Sequence, residues 1–182
     1  MAYGIGGSGE HVLNQPKWME SQAYTVEAVT EDNKLATWKQ HQVMLRNLLK
    51  DRFHLVAHVE TRYVSGYALV TIPGKKPNLP KVEKADGLMQ LIPGDLLLSN
   101  TDMSTLANMM ESIIGKPCID KTQIAGNYKI RVKYAPMDDP NSDQPSIFVA
   151  LQEQLVLKLV PEKKVPVQYL VIDSADRIPT EN

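Results

Sequence analysis

Asp102-Met103-Ser104-Thr105-Leu106-Ala107-Asn108-Met109-Met110-Glu111-Ser112-Ile113-Ile114-Gly115-Lys116-Pro117 is the run whose period is easiest to read. Met103, Leu106, Ala107, Met110, Ile113 and Ile114 recur at helical spacing, so they share one face of a 3.6-residue turn. Asp102 can accept from the first free backbone N–H groups, and Gly115 with Pro117 ends the helix. Such a helix must cover apolar strands, and strands lie on both sides. Downstream, Tyr128, Ile130, Val132 and Tyr134 alternate with Lys129, Arg131 and Lys133, the pattern of a strand with a basic outer face. Upstream, Leu88 to Leu98 reads as a short hairpin around Pro93-Gly94.

Working outward, Pro136 to Pro145 reads as a loop. Ser146 is placed to cap a helix with Ile147, Phe148, Leu151 and Leu155 inward, followed by strands Leu157–Val160 and Val167–Asp173. Residues 177–182 read as a frayed end. Toward the front, Tyr24 to Val29 alternates like a strand, and Thr37 with Gln40 has capping-box spacing. That box opens a helix to about Asp51, with Trp38, Val43, Met44, Leu45, Leu48 and Leu49 as its apolar residues. Phe53 to Tyr63 alternates again, Ser65-Gly66 reads as a turn, and Tyr67 to Ile72 forms a second strand ended by Pro73-Gly74.

The expected class is therefore α+β: three helix-strand-strand units, at 38–72, 103–134 and 147–173, each helix packed on a small antiparallel sheet. Residues 73–87, with Pro73, Pro77 and Pro80 among lysines, read as a linker. It divides an N-terminal α+β unit, 1–72, from a region at 88–182 that holds the other two helix-strand-strand units.

The chain has 182 residues, 43% hydrophobic and 23% charged, a composition that folds rather than staying disordered. Twenty basic residues stand against twenty-one acidic ones, for a formal charge of −1, so no global field draws in nucleic acid or anionic lipid. The longest apolar runs fall far short of the ~20 residues of a membrane-spanning helix. Cys118 is the only cysteine, which leaves no intrachain disulfide. The opening Met-Ala-Tyr-Gly-Ile-Gly-Gly lacks the basic and apolar regions of a signal peptide. Gly4 to Gly9 is glycine-rich but lacks the strand-before, helix-after context of a phosphate-binding loop.

Four groups of side chains invite a chemical reading. On the expected strand 53–63, His54, His58, Glu60 and Arg62 fall on one face, where imidazoles and a carboxylate suit a divalent metal. His54 and His58 lie roughly 13 Å apart on a strand, too far for one ion without a bend, so His58 with Glu60 is the closer pair. A wet polar face with ion pairs explains the same spacing. Asp120-Lys121-Thr122 brings a carboxylate, an amine and a hydroxyl together in a loop, as acid–base hydrolysis needs, although turn chemistry favours the same residues. Cys118 could be a nucleophile, but its apolar neighbour Ile119 points to a buried, inert thiol. Lys129, Arg131 and Lys133 form a basic stripe between Tyr128 and Tyr134, the ordinary wet face of a strand.

Three blocks carry a family resemblance. The first is Met44 to Arg62, a helix running into Arg52-Phe53-His54-Leu55, then His58 and Glu60-Thr61-Arg62. The second is Gly115-Lys116-Pro117-Cys118-Ile119-Asp120-Lys121-Thr122 with Gly126-Asn127-Tyr128. The third is Pro145 to Leu155, followed by Leu157-Lys158-Leu159, Val171-Ile172-Asp173 and Pro179-Thr180-Glu181-Asn182. In order and gaps these resemble a family of soil-associated bacterial proteins of unknown function. The resemblance implies export, to the periplasm or beyond, and kinship with domains found beside membrane metallopeptidases of the antibiotic-sensing type. It also implies a strand and helix upstream of Ala2-Tyr3-Gly4, so the front reads as truncated. Glycine is expected where this chain carries Gln123 and Val156.

The functional expectation is an exported binding domain without an assembled catalytic motif. Its partner is a protein or a cell-envelope component, with no nucleic acid and no membrane span, and an uncovered sheet edge is a route to a homodimer. No cofactor is expected. The alternative is an unfamiliar hydrolase, with His58 and Glu60 or the Asp120, Lys121 and Thr122 loop as its catalytic groups. A divalent metal at His54, His58 and Glu60 would assist it.

Overall fold

In chain order the elements are β1 (Val12–Leu13), α1 (Trp18–Ser21), α2 (Trp38–Phe53), β2 (Val56–Thr71), β3 (Met89–Ile92), β4 (Asp95–Thr101), α3 (Met103–Ile114), β5 (Cys118–Asp120), β6 (Tyr128–Lys133), α4 (Ile147–Ala150) and β7 (Leu157–Ser174). A π-helical turn, Leu151–Leu155, continues α4. The computed structural model describes residues 2–3, 11–26, 37–82, 89–137, 139 and 141–180. Helices and strands are mixed in two small sheets, as an α+β chain requires.

The helix termini follow their caps. Thr37 Oγ1 accepts from the Gln40 N–H while Gln40 Oε1 accepts from the Thr37 N–H at 2.7 Å, the reciprocal capping box. Asp102 Oδ1 accepts from the Thr105 N–H at 2.7 Å, and Gly115 closes α3 at φ 66°. The expected hairpin β3–β4 forms around Pro93-Gly94, with Met89 paired to Leu98 and Ile92 to Asp95.

The three helix-strand-strand units are not found as expected: at 103–134 the order α3, β5, β6 is present but the two strands lie in different sheets, and at 38–72 and 147–173 a single long strand stands where two were expected. Ser65-Gly66 is no turn: β2 runs unbroken through it for 16 residues. A Cβ on Gly66 would stand 2.1 Å from the Pro117 carbonyl oxygen, so glycine is there to let another backbone approach. The break expected between Val160 and Val167 is also absent. Val165 and Val167 are buried while Lys164 and Pro166 are exposed, so the period of two continues and β7 is one strand of 18 residues. The sheets are not uniformly antiparallel either. The larger has the order β1-β7-β2-β5, with β1 parallel to β7 and β2 parallel to β5. The smaller, β3-β4-β6, is antiparallel. Tyr24 to Val26 lies in no strand, and residues 27–29 fall outside the described part.

Two compact units share the chain, Met1–Arg62 with Val167–Asn182, and Tyr63–Pro166. In the second, Met103, Leu106, Ala107 and Met110 of α3 join Leu96, Leu98, Ile130 and Val132 in one apolar core, with Ile147, Leu151 and Leu155. The described part of the 73–87 segment belongs to this unit. Pro80 accepts from the Lys129 N–H, the Val82 N–H donates to Asn127, and the Asn78 N–H donates to Leu155.

In the first unit, Trp18, Tyr24 and Phe53 stack edge to face in series. Of the residues of α2 only Phe53 is buried, and Trp38, Val43 and Met44 stay exposed against expectation. The tail is not frayed up to Thr180. Helix α2 leaves its last carbonyls without intrahelical donors, and the tail supplies them. The Asp176 N–H donates to Phe53 at 2.7 Å, the Thr180 N–H to Arg52 at 2.8 Å and the Thr180 hydroxyl to Asp51 at 3.2 Å.

Candidate functional site

His54 does not lie on the strand. It occupies the left-handed position at φ 45° that closes α2, and its Nδ1 is 2.8 Å from Asp176 Oδ2. His58 lies on β2, with its Nδ1 2.9 Å from Asp173 Oδ2 on β7. Arg62, four residues further along β2, lies over the Tyr169 ring, four residues back along β7. The two strands therefore run antiparallel. Glu60, between these positions, is held by Arg62 through a two-point contact at 3.0 and 3.2 Å. The Arg62 hydrogen bond keeps the Glu60 carboxyl below its ordinary range.

The four expected residues are thus distributed among separate partners. Each histidine has its own aspartate in a solvent-exposed pair, and the Glu60 carboxylate goes to Arg62. Among the described residues no three His, Cys, Asp or Glu side chains come together as ligands for one ion. Asp173 and Asp176 were invisible as partners in the sequence, because more than a hundred residues separate them from the histidines.

The Asp120 loop is held by turn hydrogen bonds. The Thr122 N–H donates to Asp120 Oδ1 at 2.8 Å, and the Ile124 N–H donates to Thr122 Oγ1 at 3.2 Å. Thr122 is buried, and Lys121 Nζ reaches Glu162. Lysine lowers the Glu162 carboxyl through that hydrogen bond. Amine, carboxylate and hydroxyl thus have separate structural roles. The Cys118 thiol is buried, and burial pushes its pKa up to about 11, which keeps it a thiol at neutral pH. On β6, Arg131 is gripped by Asp95 at 2.6 and 3.1 Å, and Tyr128 and Tyr134 are buried, so their rings are not offered beside the basic stripe.

The smaller sheet presents a different kind of site. Its β6 edge is covered: Gln154 accepts from the Lys133 N–H at 3.0 Å and donates to the Lys133 carbonyl at 2.7 Å, imitating a neighbouring strand. Further along that edge, Lys81 bridges Tyr128. The β3 edge has no strand partner among the described residues beyond β4. Met89, Leu91 and Ile92 are 54%, 41% and 46% exposed there. Beside them lies an open cleft of about 310 Å³, lined among others by Leu91, Ile92, Ile113, Tyr134 and Met137. Every lining residue is uncharged, and burial holds the Tyr134 phenol above its ordinary range, so it stays neutral. The sequence marked Met89 to Ile92 as half a hairpin. Nothing in its pattern showed that all four residues would face solvent.

Residues 1–175 match a family model described as "Protein of unknown function (DUF3738)". No curated protein and no solved structure matches. No helix among the described residues is long and apolar enough to cross a membrane.

Proposed function

We propose, for a chain that belongs to the DUF3738 family of proteins of unknown function, a non-catalytic binding role in which β3 takes an extended, uncharged segment of a protein partner. The observation that carries this reading is the contrast between the two edges of one small sheet. The β6 edge is blocked by a side-chain amide and by the 80–82 segment, whereas β3 is short, apolar and exposed. An uncovered apolar edge is a template for another strand, and proteins commonly charge or cover such edges when they are not used. Main-chain bonds along β3 would supply affinity, and the uncharged cleft beside it would select apolar side chains. The place of action we assign is the periplasm or the medium, supported by the likeness of the three sequence blocks to exported soil-bacterial proteins.

The test uses synthetic nine-residue peptides of alternating valine and threonine and follows backbone amide exchange. Binding should slow exchange at Met89 to Ile92, and Leu91→Lys with Ile92→Lys should abolish the effect. If no peptide protects β3, the reading falls.

A hydrolytic reading has one observation in its favour, the His58–Asp173 pair, since a carboxylate on Nδ1 orients an imidazole as a base. Turnover of ester or phosphate substrates, with or without added divalent metal, should then vanish in His58→Ala. No turnover in the wild type would remove this reading.

A further inference from the structure

Among the described residues, part of one edge of β2 has no strand partner, and its geometry names an occupant. The Tyr67 N–H donates to the Pro117 carbonyl, and the Leu69 carbonyl accepts from the Lys121 N–H. Odd-numbered residues of β2 therefore turn their backbone groups toward the side where β5 lies. Alternation along the strand carries this back to Val59, Thr61 and Tyr63. Strand β5 covers only Tyr67 to Leu69, and β7 takes the opposite edge. From Val56 to Ser65 no strand among the described residues pairs with this side. Val59 and Tyr63 are 48% and 68% exposed.

The sequence here mirrors itself in character about Thr61: apolar Val59 and Tyr63 flank Glu60 and Arg62, which carry opposite charges. We propose that two copies of this chain pair through β2, antiparallel, with Thr61 opposite its own copy. In that register Val59, Thr61 and Tyr63 exchange backbone hydrogen bonds with the partner's Tyr63, Thr61 and Val59. Glu60 then falls opposite the partner's Arg62 at a non-hydrogen-bonded position, where side chains approach most closely. Both ion pairs form at once, because a two-fold contact uses the same patch on each copy. Moving the centre by one residue sets Glu60 against Glu60, or Arg62 against Arg62. Like charges penalise those alternatives, so the strand specifies both its partner and its register. This inference does not involve β3 and stands or falls apart from the binding role assigned to it.

Analytical ultracentrifugation over a wide concentration range tests it. The wild type should move reversibly from the mass of one chain toward that of two. Glu60→Arg, or Arg62→Glu, should weaken association by about tenfold or more, since each sets like charges face to face. The double variant Glu60→Arg with Arg62→Glu restores opposite charges and should recover dimerisation. Leu91→Lys should dimerise like the wild type. A wild type that keeps the mass of one chain throughout overturns the proposal, as does a dimer equally strong in both single variants. Far-ultraviolet circular dichroism identical to the wild type confirms that the variants fold, as expected for an exposed pair that contributes little to stability.

Discussion

Val156 stands at φ 58° and ψ 34°, directly after the π-helical turn, and Gln123 at φ 59°. Both occupy the left-handed region, where a Cβ crowds the following carbonyl and a β-branched side chain is the worst placed. These are the two positions where the family resemblance implies glycine. Glycine would adopt this geometry without a Cβ penalty, whereas valine and glutamine bear the strain locally. Val156→Gly should raise stability by about 1 kcal/mol, after allowing for glycine's greater freedom in the unfolded chain. Urea denaturation measures this, and a variant less stable than the wild type would show that the valine side chain contributes more by packing than it costs in strain. Residue types were legible in the sequence at this scale, as with Asp102, Thr37 and Gly115. Left-handed geometry at valine was not, because local propensity argues against it and only tertiary context imposes it.

At the scale of elements, helices α2, α3 and α4 and the β3–β4 hairpin were legible because their signals are local: a cap, a period, a turn dipeptide; α1, with no side-chain cap, was not. The long strands were not. Ser65-Gly66 has the composition of a turn, and what makes it a strand interior is the Pro117 backbone, some fifty residues away. Gly66→Ala should therefore destabilise by about 2 kcal/mol, since the added Cβ collides with a carbonyl rather than with a flexible side chain. If chemical denaturation shows Gly66→Ala as stable as the wild type, the close approach of β2 and β5 is misplaced. The same limit applies to the histidine face. Period two placed His58, Glu60 and Arg62 together correctly, yet their separate partners come from distant parts of the chain or from the next charge along.

At the scale of the whole molecule, several carboxylates respond to acid in the same direction. Glu60 and Asp95 are lowered by hydrogen bonds from Arg62 and Arg131, Asp102 by the backbone of α3, and Glu162 by Lys121. Each folded-state pKa lies below its unfolded value, so the unfolded chain binds more protons. Their contribution is complete above the unfolded carboxylate range, about pH 4, and drains as the pH falls through the depressed folded values. The urea midpoint should fall steadily below about pH 4, and Asp102→Ala, which costs about 1 kcal/mol at neutral pH through the lost cap, should flatten that fall. A midpoint unchanged down to about pH 2 would contradict these pairings.

The tail that satisfies the last carbonyls of α2 belongs to the same unit as the first sixty-two residues, while Tyr63–Pro166 is one uninterrupted stretch. On the ribosome the uninterrupted unit can close as soon as it emerges. The other must wait until Asp176 and Thr180 have been translated, with Asp51, Arg52 and Phe53 hydrogen-bonded to water in the meantime. A nascent chain stalled just short of Asp176 would thus hold a finished second unit beside a first one still open to proteases.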